Sequence, residues 1–350
     1  MGSLPTPRSM QNNVQDFISD IVGNFPTYTL STEEKNNISK AGIVPYLNSK
    51  IFSNKFRKSS PTLEFAEDIK KRIIDTVKVG KPLRFTIPTG GYKKWQLESA
   101  PSINWAELFH LRFMFEYLAP LLAVYDPGCI LDYYSNDWLI KNISYYPQGD
   151  LDEYANSFRD LIKKLAPMFP KNLIVKYKRT ADQLNEDELM RRILQNRPKI
   201  EKVWLGLSDE EKQEKLKYSE RNMRWDILEK DKPLSKIERQ KYIFEGKIIH
   251  DAAMAGGWNS DLEYLRTDNA IPIIHRKDPY FLHLATAKGS SVQFWVGTGV
   301  LDERNGLYIP RVLSLEQYRK INSELKPFDI SGLEKANLIK IEIRHQNKAV

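Results

Sequence analysis

The sequence has a single cysteine, five scattered histidines and no long apolar run. A lone Cys129 excludes an internal disulfide, and its apolar surroundings indicate a small buried residue. The histidines are His110, His250, His275, His283 and His345. They show neither a His-x-x-x-His nor a Cys/His ligand spacing, so no structural metal is expected. No stretch approaches the roughly 18 to 20 apolar residues of a membrane helix, and no secretory signal is visible, so we expect no membrane association and a cytoplasmic setting.

Two common nucleotide-binding signatures are also missing. The chain has no Gly-x-x-x-x-Gly-Lys-Ser/Thr and no Gly-x-Gly-x-x-Gly motif, which disfavours a P-loop kinase and a standard NAD dehydrogenase. The formal net charge of +8, from 53 Lys and Arg against 45 Asp and Glu, suits an anionic ligand or a nucleic acid. Because basic and acidic residues are interleaved along the predicted helices, most of this charge is expected on solvated faces.

Apolar strand-type runs alternate with helix-type segments in the first half of the chain. Hydrophobic residues make up 41% and aromatic residues 11% of the sequence, enough for a substantial core. The predicted order is helix Leu63–Val77, strand Leu83–Ile87, a helix from Asn104 to about Tyr125, strand Cys129–Tyr134, helix Leu151–Leu165 and strand Asn172–Tyr177. Later strands are predicted at Ala270–His275, Phe281–Ala285, Val292–Val296 and Leu338–Ile343. This alternation predicts an α/β fold with a Rossmann-like, mostly parallel sheet.

The remaining segments are predicted to be helical. Residues 1–60 are expected to form an N-terminal helical extension, and residues 61–350 the Rossmann-like α/β domain. Within that domain, residues from about 181 to 255 are highly charged and almost entirely helix-forming. Helix starts are indicated at Asn185, Ser208 and Ser235, each followed three residues later by a glutamate. Because no sustained heptad is present, we interpret the segment as a helical insertion or lid and not as a coiled coil.

Polar residues follow the ends of two predicted strands, at the edge of a parallel sheet where ligands bind. The first strand leads into Thr89-Gly90-Gly91-Tyr92-Lys93-Lys94, a glycine loop with two cations that could hold a phosphate or form an ordinary turn. The second leads into Ser135-Asn136-Asp137, which could accept an ammonium group or sugar hydroxyls, or form a simple Asx turn.

Four further polar residues are candidates for the same site. His275 ends a predicted strand, and a histidine with a pKa near neutrality suits proton transfer. Arg276, which follows it, suits a phosphate, and His283 lies on the next predicted strand. Glu107 comes three residues after Asn104, so it could close a capping box at a helix start or serve the site.

Seven short stretches carry a resemblance to a known family. They are Gly80-Lys81-Pro82-Leu83, Pro88 with Lys93 and Lys94, Glu107, Tyr125-Asp126-Pro127-Gly128, Ser135-Asn136-Asp137, Ile271-Pro272-Ile273-Ile274-His275 and Asn305-Gly306-Leu307-Tyr308. Through them, residues from about 65 to 325 resemble the isocyanide (isonitrile) synthase family, also called the pyoverdine/dityrosine biosynthesis family. The family's Ser-Pro-Asn after the lysine is missing, and its Trp-His pair has no clear equivalent, His283 and Trp295 being the nearest residues.

The resemblance implies conversion of an amino acid α-amine to an isocyanide, with ribulose 5-phosphate as the carbon donor. It implies catalytic roles for His275, Asp137 and Glu107, with substrate contacts from the remaining candidates. These are Lys93, Lys94, Gly90, Gly91, Ser135, Asn136, Arg276 and His283. Such chemistry needs small-molecule substrates, an amino acid and a sugar phosphate, but no obligatory cofactor or metal. A downstream iron(II)- and 2-oxoglutarate-dependent oxygenase is the implied partner.

Two alternatives stand beside this interpretation. The positive charge favours an RNA-binding or tRNA-dependent α/β protein that uses the basic helices between Arg191 and Arg224, although no RNA-binding motif is present. The missing family motifs favour a non-catalytic relative that serves as a binding protein.

Overall fold

Five parallel strands form the central sheet. A computed structural model describes residues 14–182, 185–255, 270–278 and 281–345. The strands are β1 (Leu83–Thr89), β2 (Cys129–Ser135), β3 (Leu173–Arg179), β4 (Ala270–Ile274) and β5 (Leu282–His283), in the order β3-β2-β1-β4-β5. Each neighbouring pair is parallel, which confirms the predicted α/β fold.

The strand order places a topological switch point between β1 and β4. The chain moves from β1 to β2 and β3 on one side and then returns to β4 on the other side of β1. Thr89 pairs with Ser135, and Thr86 pairs with Pro272, so the carboxyl ends of β1, β2 and β4 lie side by side. Ligands of open α/β sheets bind outside the strand ends that flank such a point.

Helices surround the sheet and share its core. They are α1 (Val14–Gly23), α2 (Thr32–Ala41), α3 (Ile43–Ile51), α4 (Leu63–Lys78), α5 (Trp105–Leu122), α6 (Asp137–Ser144) and α7 (Gln148–Leu165). The N-terminal helices belong to the same hydrophobic core, since Leu47 and Ile51 are fully buried. The hydroxyl of Tyr117 in α5 donates to the carbonyl of Ile51 at 2.9 Å, which fastens α3 to the centre of the molecule.

Helix α5 is buried around most of its circumference, as its nearly uniform apolar character predicts. Its start is a capping box: the Asn104 side chain accepts the N–H of Ala106 at 2.8 Å, and Glu107 accepts the N–H of Asn104 at 2.9 Å. These bonds satisfy backbone groups that a buried helix end would otherwise leave unpaired. The helix therefore carries Glu107 and His110 into the interior.

The insertion consists of α8 (Glu186–Leu205), α9 (Asp209–Glu220), α10 (Trp225–Leu228) and α11 (Lys236–Ala255). The predicted starts at Asn185, Ser208 and Ser235 are confirmed, because each side chain accepts the N–H three residues on. Helix α11 packs against α6, where a Cβ on Gly246 would lie 2.5 Å from the carbonyl oxygen of Ile143. No helix in the described ranges is both long and apolar enough to cross a membrane.

A second sheet follows the parallel one. It contains β6 (Gly297–Arg304), β7 (Leu307–Ser314), β8 (Leu325–Asp329) and β9 (Lys340–His345), in the order β7-β6-β9-β8, with α12 (Leu315–Ile321) after β7. The stretch Asn305–Tyr308, which contributes to the family resemblance, lies in a hairpin between β6 and β7, whose turn at Asn305-Gly306 has φ of 55° and 74°. The predicted strand Leu338–Ile343 corresponds to β9.

The predicted strand Val292–Val296 is wrong. Phe294–Val296 forms a 3-10 turn, which buries Phe294 and Trp295 against the carboxyl edge of the parallel sheet. A short apolar run has no periodicity that separates a buried strand from a buried turn, so the pattern could not distinguish them.

The second sheet abuts the start of α5 so closely that only glycine fits at position 299. A Cβ there would overlap the backbone of Trp105 and Ala106. We expect Gly299→Ala to lower the free energy of unfolding by about 1 to 3 kcal/mol, because backbone atoms must move to admit the methyl group. Urea denaturation would measure it. Gly149→Ala is the control, since its Cβ meets no atom within 4 Å; equal losses in both variants would contradict this contact.

Candidate functional site

The loop after β1 packs directly against the end of β2. Gly91 has a φ of 72°, and a Cβ there would lie 2.6 Å from the Cβ of Ser135 and 3.3 Å from that of Asp137. A Cβ on Gly90 would lie 2.6 Å from the indole nitrogen of Trp295. The two glycines thus admit neighbouring protein side chains, and the structure brings Gly90, Gly91, Ser135 and Asp137 together.

Lys93 and Glu107 form a buried ion pair at this edge. The Lys93 ammonium donates to Oε1 of Glu107 at 2.8 Å, to Oε2 at 2.9 Å and to the carbonyl of Phe294 at 2.8 Å. Both side chains have no exposed surface. Because an ammonium has three donors, all the hydrogen-bonding capacity of Lys93 is used within the protein.

Burial and pairing act in opposite directions on this pair. Burial lowers the pKa of Lys93 and raises the pKa of Glu107, while the attraction between the two charges opposes both shifts. Glu107 also accepts the N–H of Asn104 and, at 3.3 Å, the hydroxyl of Tyr154. The cap role of Glu107 is therefore confirmed, and its role in the site remains a prediction.

Asp137 is held by a second buried ion pair. Its Oδ2 accepts Nε of Arg179 at 2.7 Å, and Oδ1 accepts the N–H of Ala181 at 3.4 Å. Arg179 also reaches Asp152 at 2.7 Å. Burial raises the pKa of Asp137, and the guanidinium opposes that shift. The sequence analysis missed Arg179, although it is the last residue of β3 and lies at the same carboxyl edge.

Ser135 and Asn136 connect β2 to α6. Ser135 is fully buried, and its carbonyl accepts the hydroxyl of Thr180 at 2.5 Å. Asn136 occupies the position before α6 without a side-chain cap bond, and its Oδ1 lies 3.4 Å from the same hydroxyl. Thr180 therefore links the carboxyl ends of β2 and β3.

His275 lies beside His110, a residue of α5. Their ring centres are 4.6 Å apart at an interplanar angle of 74°, and both rings are buried. Phe294 stacks on His110 at 4.3 Å, and its carbonyl accepts Lys93. The histidine pair and the Lys93–Glu107 pair thus meet at one turn, at the switch point between β1 and β4.

Burial keeps both imidazoles neutral at physiological pH. It lowers the pKa of His275 to about 4, and it lowers the pKa of His110 well below the ordinary value. The proximity of His275 adds to the shift of His110, and the proximity of His283 adds to the shift of His275. The expectation of a pKa near neutrality is therefore wrong for His275: its neutral ring can accept a proton, but burial makes it a weaker base than an exposed histidine.

Three candidates lie outside this buried cluster. His283 contacts the N-terminal segment, where its Nδ1 lies 2.8 Å from the hydroxyl of Ser59. Lys94 is half-buried, and burial followed by the charges of Arg221 and Arg319 lowers its pKa. Arg276 is exposed and lines a cleft of about 650 Å³ together with residues of α6, α9 and α11.

The donor types around the site do not assemble a metal centre. Among the described residues, no group of three or more His, Cys, Asp and Glu side chains could hold a metal ion. The contacts of Tyr133 and Phe294 with His110, and of Tyr154 with Glu107, were not predicted, because buried aromatic residues usually belong to the core.

Comparison with solved structures finds proteins of similar fold. No family model matches the sequence, and no curated protein matches it. The crystal structure of the PvcA protein from Pseudomonas aeruginosa superposes with a TM-score of 0.61 at 14% sequence identity, covering 86% of this chain and 99% of that chain. At this identity the likeness shows a shared fold.

Breaking the Lys93–Glu107 pair should be costly. We expect Lys93→Met to lower the free energy of unfolding by about 3 to 5 kcal/mol, because it leaves the Glu107 carboxylate buried without its cation. The double variant Lys93→Met/Glu107→Leu should recover part of that loss. Lys70→Met, in an exposed pair with Glu67, is the control and should change stability by less than about 1 kcal/mol. Equal urea midpoints for the Lys93 and Lys70 variants would refute the buried pair.

The buried histidines should make stability depend on pH. The folded pKa of His275 is about 4, below its unfolded value of about 6.5. The unfolded chain therefore binds a proton that the native state excludes, so stability is full above pH ~6.5 and falls towards pH ~4, by about 3 kcal/mol for this residue.

His275→Gln should show a shallower loss over that range than the parent, whereas a variant of the exposed His345, His345→Gln, should follow the parent. Urea midpoints at several pH values between 4 and 7.5 measure this difference. Identical profiles for His275→Gln and the parent would contradict a buried neutral His275.

Proposed function

We propose that this protein is an isocyanide synthase-like enzyme that converts an amino acid α-amine to an isonitrile, with ribulose 5-phosphate as the carbon donor. Two lines of support are the sequence resemblance and the fold shared with PvcA over 86% of the chain. The observation that carries the proposal is the buried His275 at the switch point, which lies beside His110 and Phe294.

The proposed reaction needs an amine acceptor, a base and a phosphate site. The amine condenses with the sugar ketone to an imine with loss of water. Base-assisted cleavage of both carbon–carbon bonds at the former ketone carbon then leaves that carbon on nitrogen and releases two sugar fragments, one of which carries the phosphate. His275 is the proposed base, because a neutral imidazole has a lone pair that can accept a proton, whereas a carboxylate in a salt bridge is already paired with a cation. Lys93 and Glu107 then support the base by fixing Phe294, which contacts both His110 and His275.

For the phosphate, Lys94 is a better candidate than Lys93. The Lys93 ammonium already makes three hydrogen bonds within the protein, so a phosphate would have to displace Glu107. Lys94 is half-exposed and has the charges of Arg221 and Arg319 nearby. An ammonium close to other cations favours a dianionic ligand, and raised salt should weaken its binding.

The charged helices give less support to the tRNA-binding alternative. Arg191 and Arg192 contact Glu188, Arg197 contacts Glu201 and Glu245, and Arg224 contacts Asp150 and Asp226. Guanidinium groups held by carboxylates contribute little to a phosphate-binding surface, because the pairing offsets their charge. The helices therefore suit a solvated cover more than a nucleic-acid interface.

The test is product formation. Purified protein with ribulose 5-phosphate and each proteinogenic amino acid should yield an isonitrile by mass spectrometry. We expect His275→Gln to lower the rate by about 10²- to 10⁴-fold, as for the loss of a general base. His345→Gln should keep the parent rate, since that residue is exposed and remote from the parallel sheet's carboxyl edge.

Absence of an isonitrile from every amino acid would refute the proposed function. If the protein then bound tRNA with sub-micromolar affinity at physiological salt, the RNA alternative would take its place, because nonspecific phosphate contacts weaken steeply as salt rises. Calorimetry with ribulose 5-phosphate on the parent and on Lys94→Ala provides the matching test of the phosphate site.

A further inference from the structure

The two central histidines have the same hydrogen-bonding arrangement. Nδ1 of His110 lies 3.0 Å from the carbonyl of Thr286, and Nδ1 of His275 lies 3.2 Å from the carbonyl of Leu284. A carbonyl only accepts, so each Nδ1 carries the proton. In a neutral imidazole the other nitrogen is then an acceptor, and both Nε2 atoms are bare lone pairs.

Both Nε2 atoms are buried and lack a hydrogen-bond partner in the protein. Such groups are uncommon in native interiors, because a buried acceptor without a donor costs free energy. The hydroxyl of Tyr133, whose ring contacts His110 edge-on at 5.6 Å, is also buried and has no partner. Three unsatisfied polar atoms around one pair of rings indicate a place for a polar ligand group.

The direction of the lone pairs follows from the backbone anchors. Both Nδ1 atoms face the segment Leu284–Thr286, and Nδ1 and Nε2 point to opposite sides of an imidazole ring. Both Nε2 atoms therefore face away from that segment. With ring centres 4.6 Å apart, they lie within reach of one small group.

We propose that Nε2 of His110 and Nε2 of His275 together bind the primary amine of the substrate as its neutral free base, each accepting one N–H. A primary amine has two N–H donors and one lone pair, so this arrangement satisfies both imidazoles and leaves the lone pair free. A buried site whose nearest polar groups are neutral also disfavours the ammonium form. The bound amine is thus held in the form that attacks a ketone.

This inference rests on the proposed function for the identity of the amine as an amino acid α-amine. It places the amine at the histidine pair and not at Asp137, because the oxygens of Asp137 already accept Arg179 and the N–H of Ala181. A metal ion fits the histidine pair less well, since the described residues offer it no third His, Cys, Asp or Glu ligand.

The test uses the full chain labelled with ¹⁵N-histidine, in which only five histidines give signals. The probe is glycinamide, an α-amine without a carboxylate. Its Nα,Nα-dimethyl derivative keeps the carboxamide but has no N–H on the amine nitrogen as a free base, so it is the chemical control for the amine. Glycinamide should shift the Nε2 resonances of His110 and His275, and the dimethyl derivative should not. Signals are assigned with His110→Gln and His275→Gln.

Two variants separate binding from a merely structural role of His110. In His110→Asn, the side-chain amide N–H can donate to the carbonyl of Thr286 in place of Nδ1, but no acceptor takes the place of Nε2. Glycinamide affinity should therefore fall about 10-fold. In His110→Gln the amide oxygen replaces Nε2, and affinity should stay within about threefold of the parent. The reverse order of the two variants would assign His110 a structural role and overturn the proposal.

Unshifted Nε2 resonances with glycinamide, or equal shifts with both probes, would also overturn it, and these comparisons need only the parent protein. Because no sugar phosphate is present, the outcome is independent of catalysis. Shifted Nε2 resonances in a protein that makes no isonitrile would keep the amine site and reject the proposed enzyme. Isonitrile production without those shifts would keep the proposed enzyme and reject the amine site.

Discussion

The buried ion pair between Lys93 and Glu107 determines how the site is assembled. Glu107 is part of the cap of α5, and Lys93 follows β1, so the pair joins the central helix to the central strand. The third bond of Lys93 fixes the carbonyl of Phe294. Phe294 in turn stacks on His110 and contacts His275. Removing the pair would therefore release the turn against which both imidazoles are positioned, besides leaving a buried charge uncompensated.

The sequence was sufficient for the parallel sheet but not for the second one. Strands β1 to β3 are apolar runs separated by amphipathic helices, a pattern with few alternatives. In contrast, β6 carries Gly297 and Gly299 and ends in charged residues, and β7 is mostly half-exposed. Their strand character comes from pairing with each other and from packing on α5, which local propensity does not contain. The same limitation explains the turn at Phe294, whose apolar run was indistinguishable from a strand.

The convergence of polar residues at the candidate site could be predicted, but their pairings could not. Polar residues after β1, β2 and β4 had to meet, because parallel strands end at one edge. Which charges neutralise each other depends on side-chain direction and on the register of distant segments. Asp137 and Arg179 are 42 residues apart, and Lys93 and Phe294 are 201 residues apart. The roles of Gly90 and Gly91 were equally hidden, since the groups that fill the space beside them come from Trp295 and Ser135.

The charged groups of the candidate site are of two kinds, buried ion pairs and exposed cations. Near the switch point, Lys93 is paired with Glu107 and Arg179 with Asp137. The pairing allows these charged groups to be buried, but the paired groups are then not free to bind a ligand. The Nε2 atoms of His110 and His275 and the hydroxyl of Tyr133 are buried there without a protein hydrogen-bond partner. Lys94 and Arg276, by contrast, are partly or fully exposed. A neutral interior favours an uncharged reacting group, whereas a phosphate stays solvated enough to be held by cations at the rim. Under the proposed function, the chemistry and the phosphate would be served by different parts of the same sheet edge, and neither would need a free charge in the core.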